Sequence, residues 1–373
     1  MNSAFIHTVT RCSFSRKGKT PVAHLQPARR IGTILAGLPI HSLRTRDDAV
    51  RLCEYIGRRA IPDLRAQVWD VTPRSLDPFE VEGFVSSPFP LKALRAAAES
   101  LGCPCAVDQV SVLPVPQLGA KTFGLVTSPE CPLYATPEAA EQVDNAVYGQ
   151  FLCLLRPEGE MTLAQTQHGY VGWVKNINFR PVTGQEWLEW ISQEFALFVC
   201  GCNVDGIPIP GGASLPCPSP HEILLPTGSR VPIPPGATLF SPLHDSQQRK
   251  AVRTVAQSLL GTPYQWGGTT PAGIDCSGFV RYVYRSIGIH LPRDADQQFL
   301  AGTISALPGL TGALAAGDLL FFSGEYGGIS HVALALGPDE FIHARSPQGV
   351  IITRITEDPP LMERFLLAKR VIW

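Results

Sequence analysis

The stretch 261-GTPYQWGGTTPAGIDCSGFVRYVYRSIGIHLPRD-294 sets one cysteine, Cys276, between a glycine-rich turn and a helical pattern. Beyond it Phe279, Val280, Val283, Tyr284 and Ile287 recur at the spacing of a buried helix face, and Gly288 ends the run. Cys276 therefore falls at the first helical turn, where unpaired backbone N–H groups carry partial positive charge and favour a thiolate. An ordinary thiol with a pKa near ~8.5 is only slightly ionised at neutrality, and each unit of depression corresponds to ~1.4 kcal/mol. Asp275 opposes that trend. A helix start does not by itself make a nucleophile; a base is needed.

Two of the nine histidines fit that need. "GDLLFFS" (Gly317–Ser323) reads as a buried strand, "SHVALALG" (Ser330–Gly337) alternates, and "EFIHA" (Glu340–Ala344) returns across a short loop. Antiparallel pairing in a suitable register sets His331 and His343 side by side. One can then face the thiol while the other orients its ring. His244 and His290 match no such pattern and read as surface or capping residues.

The series PYQWGG, DCSGFV, LPRD, GDLLFF, SHVALALG and FIHA, running from about Ser246 to Trp373, closely resembles the NlpC-type cell-wall cysteine endopeptidases, which are papain-like in fold. The resemblance implies that Cys276 is the nucleophile, His331 the general base and His343 the third, orienting residue. It also implies that Tyr264, Asp275 and Ser277 line the substrate pocket, Asp275 helping to hold a cationic amino end. No metal or organic cofactor is implied.

Composition limits the alternatives. A chain of 373 residues suggests two or three domains, and 34 Gly with 34 Pro favour turn-rich, β-containing ones. A formal net charge of -1 gives no electrostatic case for nucleic acid or anionic lipid. No stretch reaches the ~18 apolar residues needed to cross a membrane. The ten cysteines, Cys12 among them, include Cys103/Cys105 and Cys200/Cys202, which lack zinc-site spacing. Reduced, mostly buried thiols are expected, pointing to a cytoplasmic setting. Residues 1–46 hold eight Lys/Arg and no acid; they read as a disordered leader, or as a targeting segment that exports the chain or sends it to an organelle.

The expected class is α+β: a papain-like domain over 244–373, helices packed on an antiparallel sheet, behind three smaller modules. Residues 47–122 read as a small α/β layer, with helices in "DDAVRLCEYIGRRA" and "PLKALRAAAESLG" and strands in "RAQVWDV" and "VDQVSVLP". Over 123–185 the short strands "FGLVTS", "CPLYATP", "AVYGQFLCLLR", "MTLAQTQ" and "GYVGWVK" suggest a barrel that resembles bacterial SH3-like domains, and 186–243 a second, weaker one.

Two such barrels before this catalytic domain resemble the γ-D-glutamyl-L-diamino acid endopeptidases (dipeptidyl-peptidase VI). That likeness implies a murein tri- or tetrapeptide substrate with a free N-terminal L-Ala, cut after D-Glu. The first barrel would close the cleft and supply an acid and a tyrosine for the ammonium, which here are Glu141 and Tyr170. Two other readings remain open: acyl transfer or amidase chemistry on the same fold, and a wall-binding protein with an inert thiol. The sequence does not disclose the oligomeric state.

Overall fold

The computed structural model describes residues 27–199, 201–204, 206–235, 237–239, 245–309 and 314–372. Cys12, Cys200 and the boundary expected near His244 lie outside the described residues. The chain divides into two compact units. One comprises the described residues to Pro62 with Thr72–Glu82 and Pro88–Gln109; the other comprises Asp63–Val71, Gly83–Ser87 and everything from Val110.

Helices α1 (Pro27–Ala36) and α2 (Arg46–Ala60) are followed by β1 (Trp69–Leu76), β2 (Phe79–Val85), α3 (Phe89–Ser100) and β3 (Cys105–Val112). The strands pair in the order β1-β2-β3. Helix α2 opens on a capping box in which Thr45 Oγ1 accepts from Asp48 N and Asp48 Oδ2 accepts from Thr45 N. Its buried face is Ala49, Leu52, Cys53 and Ile56. The later part of the expected disordered leader is instead ordered. Ile34, Ile40 and Leu43 are buried, Tyr55 Oη donates to the Ile34 carbonyl, and Arg30 Nη2 donates to the Ala60 carbonyl at 2.8 Å. Apolar residues among the basic ones give this segment a face to pack.

In the second unit, β4 (Phe123–Val126), β5 (Glu130–Tyr134), β6 (Gln142–Val147), β7 (Phe151–Glu158), β8 (Met161–Thr166), β9 (Val171–Lys175) and β10 (Phe179–Val182) form one antiparallel sheet. Its order is β10-β4-β7-β8-β9-β5-β6. The stretch "AVYGQFLCLLR", expected as one strand, turns at Gly149, whose φ of 81° suits glycine, and so supplies parts of β6 and β7.

A helix not anticipated from the sequence, α4 (Gly184–Ile191), follows, capped by Thr183 and Glu186. Its Trp187 stacks on Phe123 at 4.4 Å, and with Trp190 it joins a core shared with Phe198, Leu215 and Ile223. The strands β11 (Glu194–Phe198), β12 (Cys202–Val204), β13 (Ile207–Ile209), β14 (Ser214–Cys217), β15 (Glu222–Leu224), β16 (Arg230–Pro232) and β17 (Ala237–Leu239) form three small sheets in this region.

Helix α5 (Asp245–Ser258) and the short pair β18 (Thr269–Thr270) and β19 (Gly273–Ile274) lead into α6 (Cys276–Arg285) and α7 (Ala295–Gln298). Then come β20 (Thr303–Ala306), β21 (Leu319–Ser323), β22 (Ile329–Ala335), β23 (Glu340–Arg345), β24 (Gly349–Arg354), α8 (Pro359–Met362) and β25 (Phe365–Arg370). The sheet runs β20-β25-β21-β22-β23-β24. Phe279, Val280, Val283, Tyr284 and Ile287 form the expected buried face and pack with Phe321, Val332, Leu334 and Ile342. Full burial of each such side chain contributes ~1.5–3 kcal/mol, which fixes the start of α6 against the sheet. The chain is thus of mixed helix and sheet, with several separate sheets.

Candidate active site

Cys276 is the first residue of α6, and Asp275 is its N-cap. Asp275 Oδ1 accepts from Gly278 N at 2.7 Å and Oδ2 from Gly267 N at 2.9 Å, so one carboxylate ties the helix start to the glycine turn. Glycine is required at 267: φ is 75°, and a Cβ there would fall 2.6 Å from the Gln142 carbonyl oxygen.

Val332, one residue beyond His331, packs in the same buried core as Cys276. Burial, then the Asp275 charge, push the thiol up to about 12 against the lowering effects of Val332 N–H, Arg293 and Ser277 N–H. The thiolate expected from the helix start is thus outweighed by desolvation, and sulfur holds its proton in the free protein. A base must remove it.

His331 Nε2 lies 2.8 Å from His343 Nδ1, and His343 Nε2 lies 3.1 Å from Thr353 Oγ1. The extension of the register that pairs Leu334 with Ile342 sets Ala333 opposite His343, so the two imidazoles meet on a diagonal and not directly side by side. A β-bulge separates the Phe322–His331 and Ser323–Ile329 pairs, immediately before His331. Burial pushes His331 down to about 3, with the charges of His343, Arg345 and Arg364 adding to it. Burial likewise pushes His343 down to about 4. Both rings are neutral at pH 7. If Thr353 Oγ1 accepts from His343 Nε2–H, then His343 Nδ1 accepts from His331 Nε2–H, and His331 Nδ1 keeps its lone pair for a thiol proton.

The other candidates separate into three places. Tyr264 bridges to Ile274, and the nearby Cys276 and Asp275 charges add to burial in raising its phenol. Asp275 and Ser277 are 4% and 5% exposed, and both bind Arg293: Nη1 donates to Asp275 Oδ1 at 3.0 Å and to Ser277 Oγ at 2.8 Å. With its oxygens held by two backbone amides and a guanidinium, Asp275 fixes the start of the helix. Glu141 stands at the glycine turn, its Oε1 accepting from Trp266 Nε1 at 3.1 Å. Tyr170 lines a cavity of about 370 Å³ with Arg65, His168 and Arg293.

A buried charge cluster escaped the sequence reading. Asp144 of β6, fully buried, accepts from Arg293 Nε at 2.9 Å, from Arg281 Nη1 at 3.2 Å and from His168 Nε2 at 2.6 Å. Arg281 Nη2 also donates to His168 Nδ1, which fixes His168 as the neutral tautomer protonated on Nε2. Nearby, Arg65 donates to Asp63, Asp294 and Asp296, three carboxylates around one guanidinium. Both Asp294 and Asp144 raise the Tyr170 phenol, after burial. The sequence offered signals for these: Arg293 and Asp294 belong to "LPRD", and Asp144 lies three residues past Glu141. Among the described residues no His/Cys/Asp/Glu group is arranged to hold a metal ion.

Residues 261–370 match the family model described as "NlpC/P60 family". A γ-D-glutamyl-L-lysine dipeptidyl-peptidase of Bacillus subtilis is 37% identical over 131 residues, 34% of this chain and 42% of that protein. A protein of the same name from Bacillus cereus is 31% identical over 158 residues, 41% of this chain and 46% of that one. The chain thus spans under half the length of these two relatives. The crystal structure of an NlpC/P60 family protein from Bacillus cereus superposes with a TM-score of 0.58 at 20% identity, covering 67% of this chain and all of that one, a likeness of fold. Cysteine, imidazole pair and sheet thus stand in the segment that the family model marks out: residues 261–370 form an NlpC/P60 domain.

Proposed function

We propose that the chain is a cysteine peptidase that hydrolyses the γ-D-glutamyl–L-diamino acid bond of murein peptides with a free N-terminal L-Ala. The observation that carries this reading is the imidazole relay from Thr353 through His343 to His331, whose strand neighbour Val332 packs in one buried core with Cys276. The names of the two Bacillus relatives favour the γ-D-glutamyl bond.

His331 Nδ1 takes the thiol proton as sulfur attacks the γ-carbonyl of D-Glu, so the costly separated thiolate never accumulates. The oxyanion is held by donors that include the Cys276 backbone N–H. His331 then gives its proton to the leaving amine, and water, deprotonated by the same ring, clears the thioester. No step needs a metal or organic cofactor.

Charge favours a free amine on the acyl side. Asp63, Asp294 and Asp296 outnumber Arg65 and leave negative charge beside Tyr170, while Glu141 stands at the glycine turn. An ammonium leaving water needs such carboxylates. Free thiols at Cys103, Cys105, Cys131, Cys153, Cys202, Cys217 and Cys276 suit a reducing compartment, and we place the reaction in the cytoplasm.

The test compares L-Ala-γ-D-Glu-diaminopimelate with its N-acetyl derivative. A large drop in kcat/KM on acetylation is expected, and Glu141→Gln and Asp294→Asn each report whether that carboxylate holds the ammonium. Equal cleavage of the two peptides refutes the free-amine requirement and leaves the nucleophile in place.

A further inference from the structure

The charges that act on His331 are all positive: His343 when protonated, Arg345 and Arg364. Arg345 is paired with Asp358. Arg364 is different. It is exposed at the foot of β25, and among the described residues no carboxylate stands within ion-pair distance of it, although Glu363 is its neighbour in the chain. Its side chain is nevertheless held. Nε donates to the Ser323 carbonyl at 2.6 Å, and Nη2 donates to Ser330 Oγ at 3.1 Å. Ser330 is the residue of the β-bulge just before His331. A guanidinium is thus fixed beside the general base with N–H donors to spare.

The position of the base decides what would meet that guanidinium. His331 delivers its proton to the leaving amine, so the leaving residue lies against the imidazole. The carbon bearing that amine also bears the α-carboxylate, two bonds away. A diaminopimelate side chain carries a second carboxylate at its far end; a lysine side chain ends in an ammonium instead. Resting on the peptidase reading above, we propose that Arg364 is a specificity residue that binds a carboxylate of the leaving diamino acid. A guanidinium grips a carboxylate through paired N–H donors, and hydrogen bonds to charged groups are the stronger kind.

The test uses the full chain and four peptides: L-Ala-γ-D-Glu-L-Lys and L-Ala-γ-D-Glu-meso-diaminopimelate, each with its α-carboxylate free or amidated. Arg364→Gln should lower kcat/KM about ten-fold on every peptide that carries the bound carboxylate, the size of one lost charged hydrogen bond. Peptides lacking it should be cleaved by wild type and variant alike. A loss confined to the two free acids identifies the α-carboxylate. A loss that persists in amidated diaminopimelate, but is missing from both lysine peptides, identifies the side-chain carboxylate. Arg364→Lys keeps the charge and should restore part of the rate, which a general folding defect would not allow. An equal effect of Arg364→Gln on all four peptides, or no effect, overturns the assignment while the peptidase reading stands. Failure of wild type to cleave any of the four overturns that reading, and this assignment with it.

Discussion

Arg293 binds Asp144 through Nε at 2.9 Å while its Nη atoms hold Asp275 and Ser277, so one buried guanidinium ties strand β6 to the residues on both sides of Cys276. Arg281 shares Asp144, which makes that carboxylate the counter-charge for two buried arginines. Removal of one partner from a buried pair typically costs ~3–5 kcal/mol, because the other charge is stranded. Asp144→Ala should therefore lower the unfolding free energy by about that amount, and Asp144→Asn by less. Denaturant titration measures both, and a variant as stable as wild type would show that the cluster contributes no net stability.

His168 should make the protein acid-sensitive. Burial, then the Arg281 charge, push its imidazole down to about 4, although the Asp144 carboxylate opposes them. The unfolded chain binds a proton near pH ~6.5. The stabilisation is complete above that value and is lost as pH falls through about 4, with a slope of up to ~1.4 kcal/mol per pH unit from this one group. His168→Gln should flatten the pH dependence of stability between pH 7 and 5. An unchanged slope would show that His168 does not titrate in this way.

The relay predicts graded losses. His343→Ala removes the acceptor that orients His331 and should lower kcat by ~10²–10³, within the range of acid–base catalysis. His343→Asn, with a polar group on a similar stem, should lose less. Thr353→Val removes only the acceptor for His343 Nε2–H and should cost a few-fold in kcat with KM unchanged. An undiminished kcat in Thr353→Val would mean that the tautomer is set without the hydroxyl.

Where a pattern is local, the sequence was sufficient. The apolar face of α6, the strands bearing His331 and His343, and the helix at "DDAVRLCEYIGRRA" all follow from spacing, and the structure places them there. What depends on distant partners was not legible. Helix α4 was missed because its two buried tryptophans are anchored by Phe123, Gly149 and the β11–β15 core, none of them visible in eight residues of sequence. Asp144 looked like any acid of a polar segment until β6 carried it between Arg281 and Arg293. The position of Asp275 was evident from the motif, but its bonds to the turn, the helix start and Arg293 were not. The ordered segment at Ile34–Leu43 was obscured by the basic residues around it.

Every step of the proposed reaction runs through the sulfur of Cys276. Mass spectrometry of L-Ala-γ-D-Glu-diaminopimelate, incubated with wild type and with Cys276→Ala, tests it most directly. Wild type should release the dipeptide L-Ala-D-Glu and free diaminopimelate, and the variant, folded to the same thermal midpoint, should leave the peptide whole. Release of the same two products by Cys276→Ala at the wild-type rate would contradict the central claim.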